Sequence, residues 1–77
     1  MKIMKYIITA NGPVIFPQTL IHADVAKDLA PVISAGFFLW KKSGEKKLIC
    51  YGESVSLNIK SRLTEDEVVL ASFLNVQ

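Results

Sequence analysis

The sequence predicts a small α+β protein with a three- or four-stranded, mostly antiparallel sheet and two short helices, in a single domain spanning residues 1–77. Three observations predict this class. An apolar run at 31–40 is typical of a buried strand, a charged Ser-Gly segment at 41–47 is typical of a hairpin turn, and residues 64–67 have the pattern of a helix start. A chain of this length forms one small core.

The run from Pro31 to Trp40 is the centre of the predicted sheet. Successive side chains of a strand point to opposite faces, and here both faces are apolar toward the carboxyl end. The β-branched and aromatic residues favour a strand, although periodicity alone does not separate it from a buried helix. We therefore expect a central strand covered on both faces. Gly36 predicts a bulge, or a place where another backbone or a large ring approaches closely.

The first third of the chain predicts a strand, a turn and an ambiguous apolar segment. Residues 2–10 alternate an apolar row with a mixed row, which indicates a half-buried strand. Residues 11–13, Asn-Gly-Pro, predict a turn. The segment at 14–16 lies between two prolines and is either a short extended edge segment or a loop that plugs one end of the core. We favour the plug, because proline cannot join a central ladder.

A helix is predicted from Thr19 to Ala30. Thr19 or His22 could cap it, and Asp24 would lie in its first turn, where a carboxylate interacts favourably with the helix dipole. Pro31 would end the helix.

After the hairpin turn, residues 48–51 predict a strand that runs antiparallel beside the central strand. Residues 54–60 then alternate apolar and polar side chains cleanly, which predicts a strand with one wet face. The stretch 47–60 is either one strand bent near Gly52 or two strands joined by a tight turn, and the pattern leaves both open.

The second helix is predicted at 64–74. Thr64 and Glu67 have the spacing of a capping box, in which each side chain accepts a hydrogen bond from the other residue's amide. An apolar face follows and can dock on the sheet.

Composition favours self-association. Hydrophobic residues make up 51% of the chain and the mean hydropathy is +0.34, which is more apolar side chain than a core of this size can hold. We expect a second subunit to cover the other face of the central strand or a neighbouring patch, as in a homodimer. The alternative is a monomer in which one helix covers each face of the sheet.

Charge and cysteine content indicate which partners and which cellular compartment to expect. The net charge of +2 does not favour any class of partner. One cysteine excludes an intramolecular disulfide and fits a reducing compartment. The first apolar stretch, at 6–8, is too short for a secretory signal core or a membrane span, so we expect a cytoplasmic protein with no membrane partner.

The sequence predicts no catalytic residue, no metal and no cofactor. Cys50 and His22 are the one pair that could supply a thiolate nucleophile and its base, with Asp24, Glu53 or Asn58 as orienting groups. A free cysteine usually behaves as a small buried hydrophobe. One histidine and one cysteine are also too few for a zinc site.

These observations predict a non-enzymatic module that acts through protein contacts made by the exposed face or edge of its sheet, with a protein partner of unknown identity. The candidate interaction residues are aromatic or polar: Phe37, Phe38, Trp40, Tyr51, Ser54, Ser56, Asn58 and Lys60. In size and lack of motifs the chain looks like small free-standing proteins of bacteria and their phages. A specific version is a phage-encoded protein that occludes a host factor.

Nucleic-acid binding is the alternative. The predicted hairpin carries four lysines beside aromatic residues, the pairing used where phosphates are neutralised and bases stack. These residues are Lys41, Lys42, Lys46 and Lys47.

Overall fold

The computed structural model describes residues 2–29, 31–40 and 48–74. The elements in chain order are β1 (Lys2–Thr9), β2 (Gly12–Pro17), α1 (His22–Ala26), β3 (Val32–Trp40), β4 (Leu48–Tyr51), β5 (Glu53–Ser54), β6 (Ile59–Lys60) and α2 (Thr64–Leu74). Four strands form an antiparallel sheet in the order β2-β1-β3-β4, and β5 and β6 form a two-stranded sheet. The predicted α+β class is confirmed. The predicted hairpin tip at 41–47 lies outside the described residues.

β3 is a central strand, as predicted, and its middle part is buried on both faces, whereas Ile33 near its start is 50% exposed. It pairs with β1 on one side and with β4 on the other. Ala35 and Phe38 point to opposite faces of the sheet, and neither is exposed to solvent.

Each face of the sheet is covered by other parts of the same chain. On one face, side chains of β1, β3 and β4 pack against Leu70 of α2. On the other face, Ile7, Phe16 and Ala35 pack against α1 and against Leu57 and Ile59 of the β5–β6 hairpin. Because α1 and the hairpin lie on the other face of β3, they cover much of the surface that was expected to meet a second subunit there. Association through a neighbouring patch stays a prediction.

Gly36 is a point of close approach, as predicted. A Cβ atom at this position would lie 2.6 Å from the carbonyl oxygen of Tyr51 and 3.5 Å from Cε1 of Tyr6. The Tyr51 carbonyl of β4 therefore occupies the space that a side chain would need, and Cβ of Ser61 would also be close, at 3.1 Å. The Tyr6 ring is at an ordinary contact distance.

The prediction that residues 14–16 form a plugging loop is wrong. They lie in β2, an edge strand that pairs antiparallel with β1 and places Ile15 opposite Tyr6. Pro13 and Pro17 are four residues apart, so their missing N–H groups fall on the same side of the strand. That side of β2 faces away from β1. The residues between the two prolines can therefore donate their N–H groups to β1, and the pairing of the two strands is unbroken.

The first helix is much shorter than the predicted span of 19–30. Its N-cap is Ile21, which has extended backbone and no side-chain cap hydrogen bond, so the predicted caps at Thr19 and His22 are wrong. Short helices persist in water only where packing supports them. Here only the turn that carries Val25 packs on the sheet, and Leu29 is exposed.

The alternation at 54–60 does not produce a continuous strand. Gly52 has a φ of 76° and separates β4 from β5. The residues from Val55 to Asn58 form a tight turn, closed by a hydrogen bond of 3.2 Å from the Asn58 amide to the Val55 carbonyl. Asn58 has a φ of 55°, a conformation that asparagine tolerates better than most residues. The turn therefore divides the predicted strand into two short ones.

The second helix spans the predicted residues, but its predicted capping box is wrong. The Glu67 amide donates to the Leu63 carbonyl at 3.0 Å, so this amide makes the first helical bond and is not held by the Thr64 hydroxyl. The Asp66 carboxylate instead accepts the Arg62 amide at 2.7 Å. Within the described residues, no helix is long and apolar enough to cross a membrane.

Candidate functional site

An open cleft of about 390 Å³ lies on the α1 side of the sheet, between the start of α1 and the β5–β6 hairpin. A hydrogen bond of 3.1 Å from the Ala23 amide to the Ser56 hydroxyl connects these two walls. The cleft is lined by Lys5, Ile21, His22, Phe37, Glu53, Val55 and Ser56.

A row of rings supports the cleft. The His22 ring lies edge-on between two phenylalanines, with ring centroids 5.4 Å from Phe16 and 5.7 Å from Phe37. Tyr51 stacks on Phe37 at 5.8 Å, and the Lys5 ammonium lies 5.8 Å from the centroid of the Phe37 ring. Such edge-to-face and stacked contacts hold aromatic side chains in defined positions. The floor of the cleft is therefore preorganised.

His22 has one nitrogen committed to the sheet. Its ring is 3% exposed, and Nε2 lies 3.0 Å from the Gly36 carbonyl oxygen. A carbonyl can only accept, so Nε2 carries the hydrogen and Nδ1 keeps its lone pair when the ring is neutral. Burial lowers the pKa of His22, the bond to Gly36 opposes this, and the nearby Lys5 charge lowers it further. The lowered pKa favours the neutral ring at pH 7.

The cleft also carries one positive and one negative charge. The Lys5 ammonium donates to the Leu20 carbonyl at 2.6 Å, which holds the amine at the cleft. Glu53 is exposed on the hairpin wall, opposite Lys60 in the register of β5 and β6. The site thus combines an apolar floor with opposite charges.

Exposed apolar residues lie at the cleft and next to it in the chain, since Ile21 and Val55 line it and Leu20 precedes Ile21. Leu20 is 47% exposed, Ile21 is 52% exposed and Val55 is 87% exposed. Val55 begins the tight turn of the hairpin and so projects from the surface. We call these three residues the apolar rim. Apolar side chains gathered beside a cleft are typical of an interaction surface.

A second polar cluster lies on the other face of the sheet, around Asp66. Asp66 is fully buried and accepts hydrogen bonds from the Tyr6 hydroxyl at 2.5 Å, the Ser34 hydroxyl at 2.9 Å, and the amide and Nε of Arg62 at 2.7 and 2.9 Å. Burial alone would raise the pKa of Asp66, but these bonds outweigh it and hold the pKa below its usual value. Burial and the bond to Asp66 raise the pKa of Tyr6. The cluster joins β1 and β3 to α2.

The structure separates the two residues from which a nucleophile and base could be built. Cys50 pairs with Phe38 and lies in the core beneath α2. His22 contacts Phe37, whose side chain points to the opposite face. The sheet lies between them, so they cannot form a dyad. The described residues contain no group of three metal-ligating side chains that could hold an ion.

Some of the predicted interaction residues meet at the cleft. Phe37 and Ser56 line it, and Tyr51 stacks on Phe37. Asn58 and Lys60 are exposed residues of the adjoining hairpin.

Others lie elsewhere. Phe38 and Ser54 are fully buried and present no surface to a partner. Trp40 ends β3, and its side chain lies outside the described part of the structure. The lysines of the nucleic-acid alternative lie outside the described residues.

Sequence reasoning did not assign Lys5, Ile21 or Val55 to a site. These residues are brought together from β1, the start of α1 and the hairpin turn. No local pattern carries that information, and the alternation around Val55 indicated a strand instead of a turn. Comparison with known proteins adds no assignment: no family model matches the chain, and no curated protein or solved structure shows significant similarity to it.

Proposed function

We propose that the protein is a non-enzymatic interaction module that self-associates through the cleft and its apolar rim. The observation that carries this proposal is that two exposed aliphatic side chains, Ile21 and Val55, line a hollow together with the packed rings of His22 and Phe37. Anchors buried in preformed pockets supply most of the energy of protein interfaces. The cleft has the shape and the apolar surroundings for such an anchor.

The edges of the sheet are less suited to association. Adding a strand to a sheet requires open main-chain donors and acceptors along an edge. At the β2 edge, Pro13 and Pro17 remove two donors. At the β4 edge, the Cys50 amide donates to the Glu67 carboxylate at 3.0 Å. Both edges are therefore obstructed, which favours a contact through the cleft.

The polar groups of the cleft support binding. The Lys5 ammonium is engaged with the Leu20 carbonyl, and the lowered pKa of His22 keeps its ring neutral. The one thiol of the chain lies on the other side of the sheet. The Lys5 ammonium and the Ser56 hydroxyl can contact a partner through charge and a hydrogen bond.

The test compares two exposed valines. Val55→Asp places a carboxylate at the rim of the cleft, and Val68→Asp places one on α2, on the opposite side of the sheet, where Val68 is 66% exposed. Both sites face solvent, so both variants should fold. Burying a valine contributes up to roughly 1.5–3 kcal/mol, so Val55→Asp should weaken self-association at least about tenfold. Val68→Asp should leave it unchanged.

The measurement is sedimentation velocity with light scattering over a wide range of protein concentration, at low and high salt. A parent protein that stays monomeric at every concentration would contradict the proposal, as would equal dissociation of both variants. A monomer that carries nucleic acid, removed by high salt, would instead favour the alternative based on the hairpin lysines.

A further inference from the structure

We infer that the self-association interface is two-fold symmetric, with Lys5 of each copy facing Glu53 of the other and the Val55 turn of each copy seated at the other's cleft. This inference rests on the proposed function and names the occupant of the cleft as a second copy of the same chain. A two-fold interface uses the same patch on both subunits, so the patch must be complementary to itself.

The charges of the cleft meet this condition. Lys5 and Glu53 both line it, one from β1 and the other from β5. Among the described residues neither forms an ion pair within its own chain, and Lys60, opposite Glu53 in the hairpin, forms none with it either. When two such patches meet about a two-fold axis, each contact occurs twice with the roles exchanged. Each ammonium can then face a carboxylate.

The apolar parts of the cleft meet the same condition. Val55 is a protruding apolar group, and Phe37 and Ile21 line a hollow of the same surface. A partner of different sequence would have to supply both a protrusion and a hollow, together with two charges of opposite sign. A second copy supplies all of them.

The test exchanges the two charges. Lys5→Glu alone places two carboxylates at each of the two contacts, and Glu53→Lys alone places two amines there. Each variant by itself should self-associate roughly tenfold more weakly than the parent, because two attractive pairs become repulsive. An equimolar mixture of the two variants should form heterodimers with nearly the parent's affinity, since every contact again joins opposite charges.

Matched controls separate charge pairing from other effects. Lys5→Gln and Glu53→Gln remove the charges without reversing them, so a heterodimer of these two variants regains one of the two ion pairs. Mixing them should therefore strengthen association less than mixing the two charge-reversal variants does. Far-UV circular dichroism checks that each variant folds, because Lys5 also contacts Leu20 and Phe37. The readout is sedimentation velocity with one variant fluorescently labelled.

A second measurement uses the unsubstituted protein and therefore does not depend on the folding of any variant. Chains labelled with ¹⁴N and ¹⁵N are mixed, treated with a carbodiimide that joins amines to nearby carboxylates, and digested for mass spectrometry. We expect a Lys5–Glu53 crosslink that joins light and heavy chains.

The outcomes distinguish this inference from the proposed function. Suppose that Val55→Asp dissociates the parent, but mixing the charge variants restores nothing and no mixed crosslink forms. The two-fold charge pairing is then refuted, and the proposed contact surface stands. A parent that is monomeric at every concentration refutes both.

Discussion

Asp66→Asn should destabilise the folded protein by about 3 kcal/mol, because the side chain would no longer accept all the hydrogen bonds directed at it. The buried carboxylate accepts four bonds of 2.5–2.9 Å. Oδ2 receives the Tyr6 hydroxyl and the Arg62 amide, and Oδ1 receives the Ser34 hydroxyl and Arg62 Nε. If the asparagine oxygen takes the position of Asp66 Oδ2, its NH₂ group takes the position of Oδ1. The NH₂ group then faces Arg62 Nε, and both groups are hydrogen-bond donors.

The magnitude follows from the bonds that change. The Ser34 hydroxyl can rotate to accept from the new amide, so the bond from Arg62 Nε is the one lost outright. A hydrogen bond to a charged group contributes about 1.5–3 kcal/mol and a neutral one about 1 kcal/mol. Losing one charged bond and weakening the others amounts to about 3 kcal/mol. A domain of this size has a stability of about 4–12 kcal/mol, so the variant should fold with a much lower unfolding midpoint.

The assay is urea unfolding followed by far-UV circular dichroism at pH 7. With a slope near 1 kcal/mol per molar urea for a small protein, the midpoint should fall by about 3 M. Asp28→Asn is the matched control, because Asp28 is exposed and the chemical change is the same. An Asp66→Asn midpoint within about 0.5 M of the parent's would refute the reasoning, as would an equal loss in the control.

Two further predictions concern single residues of the sheet and the cleft. His22 is the one histidine of the chain, so its ring resonances in an NMR titration report its pKa directly, and this should lie below 6.5. Below about pH 6.5 the unfolded chain binds a proton at His22 more readily than the folded chain does, so the free energy of unfolding should fall as the pH drops. A measured pKa at or above 6.5 would contradict the burial of the ring. Gly36→Ala should cost about 1–3 kcal/mol in the same urea assay, because the added methyl group would overlap the Tyr51 carbonyl and force β3 and β4 apart. An unchanged urea midpoint would show that there is room for a methyl group between Gly36 and the Tyr51 carbonyl.

Features that depend on a local pattern could be predicted from the residues alone. The doubly apolar run and its β-branched and aromatic residues predicted a central strand, and β3 pairs with a strand on each side. The span of α2 was predicted from the spacing of Thr64 and Glu67 and the apolar face that follows, although the capping box itself does not form. Gly36 followed from the rarity of glycine inside a strand, which usually marks a close approach.

Other features depend on which distant segments come into contact, and no local pattern predicts them. Residues 14–16 became an edge strand because β1 offered a partner and the two prolines face outward together. The helix before β3 shortened to the turn that packs on the sheet, since helix propensity without packing contributes little. Asp66 resembled an ordinary residue of a helix start, yet burial against Tyr6 and Ser34 made it the junction between sheet and helix. The cleft joins Lys5, His22 and Glu53 from distant parts of the chain, and only folding sets their separation.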